Sequence, residues 1–158
     1  MDRIARRIIG GLLLLMIAAG IMVFAGCENG PPKVSIEGAR AELSPVMRDE
    51  GMVYLKIMNA GGSDMLTGVK AGIPGANADL HEMKGTIMVV KKAMRIPEKS
   101  TVEFKPMGSH IMIVNMPKEV KERYRFTLTL LFKRSGEMQV PLEFMKAQEQ
   151  PMTHDHHM

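Results

Sequence analysis

The feature that most limits what this chain can fold into is the period of its apolar residues. They recur in short two-residue alternations, and nowhere over twelve residues with a convincing helical period. In Arg125-Phe126-Thr127-Leu128-Thr129-Leu130, apolar and polar positions swap one by one, as in a strand with one buried face. Runs rich in β-formers over 34–41, 52–59, 65–71, 78–83, 87–90, 101–104, 111–115, 125–132 and 137–144 read as nine short strands. The breaks carry turn chemistry, as in Asn59-Ala60-Gly61-Gly62, Ile73-Pro74-Gly75 and Arg134-Ser135-Gly136. Regularly spaced short strands without a long helix predict an all-β sandwich of about eight or nine strands.

The N-terminus belongs to a different class of segment. Arg3, Arg6 and Arg7 precede an almost unbroken apolar run from Ile8 to Ala25, and Phe24-Ala25-Gly26-Cys27 follows. A basic start, an apolar stretch and small residues before a cleavage point make residues 1–26 a secretory signal. The cysteine at its end makes it lipoprotein-like, with Cys27 as the lipid acceptor. An uncleaved anchor is the competing reading, since the 18 residues of the run are just long enough to span a bilayer. Either way the protein is expected to be exported and held at the extracytoplasmic face of a membrane.

Without the signal, 18 basic residues face 16 acidic ones, a net charge of +2. The basic balance of the whole chain is therefore partly the signal's own. The chain has no Trp and no basic stripe interleaved with aromatics, so nucleic acid is not an expected partner. What remains suffices for one core. Residues 27–33 read as a polar tether, 34–146 as the sandwich and 147–158 as a flexible Met/His-rich tail. Once Cys27 is lipidated no thiol is left, which excludes disulfides, a thiolate nucleophile, Cys-type zinc sites and a blue-copper centre.

Only five histidines exist, and His154, His156 and His157 lie in the last five residues. The other two are each followed two positions later by methionine: His81-Glu82-Met83 and His110-Ile111-Met112. In strands, residues i and i+2 share a face. Met88 lies between the pairs, after Lys84-Gly85, which suits a tight turn. Thioether sulfur prefers Cu(I), and imidazole serves Cu, Zn, Ni and Fe alike. Either histidine alone reads as an ordinary imidazole beside core methionines. Most of the 14 methionines after the signal, including Met52, Met58, Met65, Met138 and Met145, read as packing residues. The two His-x-Met pairs together favour a metal site.

From these residues the chain resembles the periplasmic copper chaperone family PCu(A)C, whose pattern is His, ten residues, Met, twenty-one residues, His-x-Met. Met88 and His110 enclose twenty-one residues, and His110-Ile111-Met112 completes the pattern. Val53-Tyr54-Leu55-Lys56-Ile57-Met58-Asn59-Ala60-Gly61-Gly62, Ala78-Asp79-Leu80-His81-Glu82-Met83, Ile96-Pro97 and Phe104-Lys105-Pro106-Met107-Gly108 also resemble family segments. The similarity covers residues 34–145. It implies a cupredoxin-like or Ig-like sandwich holding one Cu(I) through His81, Met88, His110 and Met112. It also implies delivery of copper to a respiratory oxidase copper centre. One departure stands out: six residues, not ten, separate His81 from Met88. Met83 is therefore an alternate ligand.

The tail, Pro151-Met152-Thr153-His154-Asp155-His156-His157-Met158, reads as a secondary metal-capturing tract. Its imidazoles suit Cu(II); the ligands there would be His154, His156, His157 and Met158. No Gly-x-Ser-x-Gly elbow or phosphate loop is present, and an enzyme is not expected. The protein is expected to be a monomer whose partners are a copper-accepting oxidase subunit or other copper protein and, through its lipid, a membrane. Two alternatives stand beside delivery: a copper-sequestering lipoprotein, and a non-metal assembly sandwich with a degenerate motif. Imidazoles must be neutral to bind metal, so Cu(I) affinity is expected to fall between about pH 7 and about pH 5.

Overall fold

A computed structural model describes residues 30–146. Among them there is no helix, and the chain forms β1 (Val34–Leu43), β2 (Gly51–Asn59), β3 (Asp64–Ala71), β4 (Asn77–Lys84), β5 (Ile87–Lys91), β6 (Met94–Ile96), β7 (Ser100–Phe104), β8 (His110–Val114), β9 (Arg125–Phe132) and β10 (Gly136–Met145). All nine expected runs are strands. The tenth strand, β6, is only three residues long and ends beside Pro97, too short to show a period. The expected signal, Cys27 and the tail from 147 onward lie outside the described residues.

The strands follow the order β5-β4-β8-β2-β1-β10-β9-β3-β6, with β7 also paired to β2. Two layers are joined where β1 runs parallel to β10, Ala41 opposite Phe144 and Glu42 opposite Met145. A bulge between Glu37 and Arg40 bends β1 at this seam. One layer contains β2, β4, β5, β7 and β8; the other contains β3, β6, β9 and β10. The nearly closed sandwich is the expected all-β architecture.

Alternation decides what lies between the layers. In β9, Phe126, Leu128, Leu130 and Phe132 are buried, and the residues between them are not. From the facing layer come Val53, Leu55, Ile57, Ile111 and Ile113, almost wholly buried. Phe126 stacks on Phe144 with ring centroids 4.8 Å apart. Full burial of such side chains contributes about 1.5–3 kcal/mol each before the entropy of ordering is charged against it. Gly30 to Lys33, the end of the expected tether, hydrogen bond along the body: Gly62 N–H donates to Pro31 O and Ala60 N–H to Lys33 O.

The methionines correct one expectation. Met58, Met65 and Met145 are exposed rather than core. Met138 does pack against the core, whereas Met52 is half-buried on the outer face of its layer. Among the described residues, the buried methionine is Met116.

Candidate functional site

Because Val53, Leu55 and Ile57 of β2, Leu80 of β4, and Ile111 and Ile113 of β8 face the core, their alternate neighbours face outward. Register then brings the outward residues together. His81 is directly opposite His110 across β4 and β8. Met83 is opposite Met88 across β4 and β5, and Met112 is opposite Met52 across β8 and β2. The two-residue loop Gly85-Thr86 closes the β4–β5 hairpin, with Lys84 paired to Ile87 and Gly85 at φ 63°, a conformation glycine adopts without steric cost.

All five residues expected at the folded site, His81, Met83, Met88, His110 and Met112, therefore lie on one face. The short His81–Met88 connection has a definite consequence. Met88 pairs with Met83, and the residue opposite His81 is Val90. Met88 is thus one pleat away from the imidazole pair, on the outermost strand of its layer. Met52 was missed as a neighbour of this site. The alternation in Met52-Val53-Tyr54-Leu55-Lys56-Ile57 could have revealed it, because an inward Val53, Leu55 and Ile57 leave Met52 and Tyr54 outward.

The imidazole rings lie with centroids 5.6 Å apart and planes inclined by 52°. Metal–imidazole bonds run about 2.0–2.1 Å, so two rings sharing one ion have centroids no more than roughly 6 Å apart. The pair meets that limit. His110 is buried, and its Nδ1–H donates to the Gly108 carbonyl at 3.0 Å. A carbonyl can only accept, so Nδ1 carries a proton, and the neutral tautomer that fits this bond has its lone pair on Nε2. That is how ligating imidazoles are commonly held.

The turn before β8 positions this carbonyl. Lys105 N–H donates to Ser109 O at 2.7 Å and Gly108 N–H to Lys105 O at 3.1 Å. Met107 in this turn sits at φ 58°, a left-handed conformation costing a side-chain-bearing residue on the order of 1 kcal/mol.

His81 differs from its partner. Its Nδ1 is buried and has no hydrogen-bond partner. Burial lowers the His81 pKa below its ordinary value, the neighbouring His110 adds to this, and Asp79 and Glu50 oppose it. The shift favours the neutral ring, the form that has a free lone pair. Glu82 Oε2 also lacks a hydrogen bond, but Lys91 Nζ faces it at 3.2 Å. Among the described residues no group of three or more His, Cys, Asp and Glu is placed to hold a metal. The side-chain donors that flank the two imidazoles on this face in the His-x-Met pairs are the thioethers of Met83 and Met112.

Fold and face together define the class: a β-sandwich with the fold of PCuAC domains. Solved structures with this fold include a copper-bound PCuAC domain from PmoF2, 22% identical, covering 75% of this chain and 98% of that one, TM-score 0.60. The apo PCuAC domain from PmoF1 is 20% identical over 75% and 97% of the two chains, TM-score 0.59. The CuI-DR1885 solution structure from Deinococcus radiodurans is 22% identical over 77% and 83%, TM-score 0.57. No curated protein matches the chain in sequence. The chain belongs to the LpqE-like family, described as "Putative lipoprotein LpqE-like", whose sequence model matches residues 34–144.

Proposed function

We propose that this protein is an exported, lipid-anchored Cu(I) metallochaperone rather than an enzyme. Its ion is held by His81 and His110 with thioethers from Met112, Met88 and Met83. The observation that carries this reading is the imidazole pair: two rings in direct register, one fixed through Nδ1 to Gly108, the other with a buried, unpartnered nitrogen. Thioethers flanking the pair favour Cu(I) over Zn(II) or Cu(II). The copper-bound PCuAC domain and CuI-DR1885 support it as holders of copper with the same fold.

Delivery is favoured over storage by where the site lies. Ile87, Met88 and Val90 of β5 are exposed beside it, and an exposed apolar group at a ligand site suits contact with another protein. Copper would leave by ligand exchange with a recipient's own ligands, the recipient being the copper centre of a respiratory oxidase. Lipidation at Cys27 would keep the donor near that membrane, and the tail residues His154, His156, His157 and Met158 would capture Cu(II).

The test is Cu(I) titration of the full chain against a competing chelator, followed by mixing with an apo oxidase copper domain. One tight equivalent that moves to the acceptor within minutes is expected. Tight binding without transfer would make the protein a copper store, and no binding would overturn the metal reading altogether.

A further inference from the structure

The outward side chains form a stepped line rather than a single four-residue cluster. Going inward from the edge, Met88 is opposite Met83, and Met83 is two residues from His81 on the same face. His81 is opposite His110, His110 is two residues from Met112, and Met112 is opposite Met52. The imidazole pair thus has a thioether pair on each side. Directly opposed residues have Cβ atoms about 4.5–5.5 Å apart, and diagonal neighbours about 7–8 Å, within reach of long side chains. The cross-strand steps of the line are directly opposed pairs, and the steps along β4 and β8 join same-face residues two apart, roughly 6.5 Å from one another.

The two thioether pairs differ in surroundings. Met88 is exposed, on the edge strand of its layer. Met52 and Met112 are half-buried in the middle of the layer, and Met52 is braced. Tyr54 Oη–H donates to Met52 Sδ at 3.3 Å. The Tyr54 ring lies 4.8 Å beneath the Arg40 guanidinium, and Arg40 Nε in turn donates to Glu42 Oε1 at 3.0 Å. Burial, then Glu42, raise the Tyr54 pKa against the opposing effect of Arg40, so the phenol stays a donor. A thioether that only filled space would need no such arrangement, since methionine packs without directional contacts. The bond engages one sulfur lone pair and leaves the other free.

We propose that Met52 is a further copper ligand, so that the imidazole pair serves two stations: an inner holding site with Met112 and Met52, and an outer exchange site with Met83 and Met88. This rests on the copper reading above. The ion moves between stations by exchanging one thioether pair for the other, with no change of oxidation state, while at least one imidazole stays bound. The inner pair sets affinity and the exposed outer pair sets the rate of loading and release.

The experiment is NMR of the full chain labelled at the methionine ε-methyl groups, assigned through the backbone and titrated with Cu(I). The Met52 and Met112 methyls are expected to shift with the first equivalent, while exposed Met65 on the opposite layer stays in place. Met52→Leu, which keeps the volume, should lower Cu(I) affinity about tenfold or more and move the first-equivalent shift to Met83 and Met88. Met88→Leu should cost clearly less affinity than Met52→Leu does, and should slow copper release to a chelator.

An unshifted Met52 methyl, with wild-type affinity in Met52→Leu, would overturn the inner station. So would Met88→Leu weakening binding as much as Met112→Leu does. If Met52→Leu does not fold, the wild-type spectrum still decides, and Tyr54→Phe should weaken binding severalfold while Met52 still shifts. Absence of any Cu(I) uptake by the wild-type chain would instead strike the copper reading itself.

Discussion

Asp64 and the His81–His110 pair are polar groups of the same sandwich, and the fold treats them in opposite ways. The Asp64 side chain is buried, with every oxygen engaged: Oδ1 accepts from Met65 N–H and Arg134 N–H, and Oδ2 accepts from the Ser135 N–H and hydroxyl. His81 Nδ1 is buried with nothing to bond. Buried polar atoms in native proteins nearly always have partners, and an exception needs a reason. Asp64 ties the β9–β10 turn to the start of β3 and belongs to stability. His81 keeps an unpartnered nitrogen on an outward face, the place the proposed copper would fill.

The largest expected effect tests the structural half of this contrast. Asp64→Ala leaves the Arg134 and Ser135 amides without their acceptor and should cost about 3 kcal/mol, read by urea unfolding. Cu(I) affinity of the folded fraction should not change. A variant as stable as the wild type would mean that the carboxylate is not what fixes this turn.

His81→Leu should do the reverse. Removing an imidazole ligand should cost at least the roughly 100-fold at the upper end for a merely supporting partner, while removing an unpaired buried nitrogen should leave stability equal or slightly higher. Chelator competition and thermal unfolding on one sample measure both. A loss of stability as large as that of Asp64→Ala would show His81 to be structural, and the contrast would fail.

How far the sequence alone reaches follows from the same residues. Alternation in β9 gave that strand and its inward face, because a half-buried strand repeats every two residues. The same alternation from Met52 to Ile57 was missed, and Met52 reads as packing in the sequence. Alternation did not show β6, whose three residues have no period to read. The His-x-Met pairs placed His81 with Met83 and His110 with Met112 on shared faces. Nothing local to either pair says which strand lies beside which, so the opposition of His81 to His110 appeared only with the topology. The seat of Met88 depended on the hairpin loop: two residues between Lys84 and Ile87 put it opposite Met83, whereas counting residues from His81 left this open. Methionine misled most, because the same side chain serves as packing and as ligand.

A smaller effect separates the folded face from the tail. Replacing His154, His156 and His157 together by alanine should leave the first Cu(I) equivalent unchanged within about twofold. Cu(II) uptake, followed by its d–d absorption, should fall severalfold. If Cu(I) affinity fell instead with the tail than with His81, the ordering of sites proposed above would be reversed.

The smallest effect is a pair of pH windows, and it puts the contrast between the two regions on one axis. Both groups have a folded-state pKa below the unfolded one: burial and His110 lower that of His81. For Asp64, burial pushes upward but is outweighed by the bonds from Ser135, Met65 and Arg134. A group so shifted binds fewer protons folded than unfolded, so it favours folding at high pH and loses that contribution as pH falls. For His81 the loss starts near the ordinary imidazole value of about 6.5, and for Asp64 near the ordinary carboxyl value of about 3.9. Apo protein should therefore soften in two steps on acidification. His81→Leu should remove the upper step alone and Asp64→Asn the lower one. Saturating Cu(I) should deepen the upper step, since metal binds only the neutral ring of the folded state, and should leave the lower step where it was. Midpoint denaturation measured from pH 8 to pH 3, with and without copper, resolves the two. An upper step that survives in His81→Leu would assign that titration to another group and remove the electrostatic part of the distinction between the two regions.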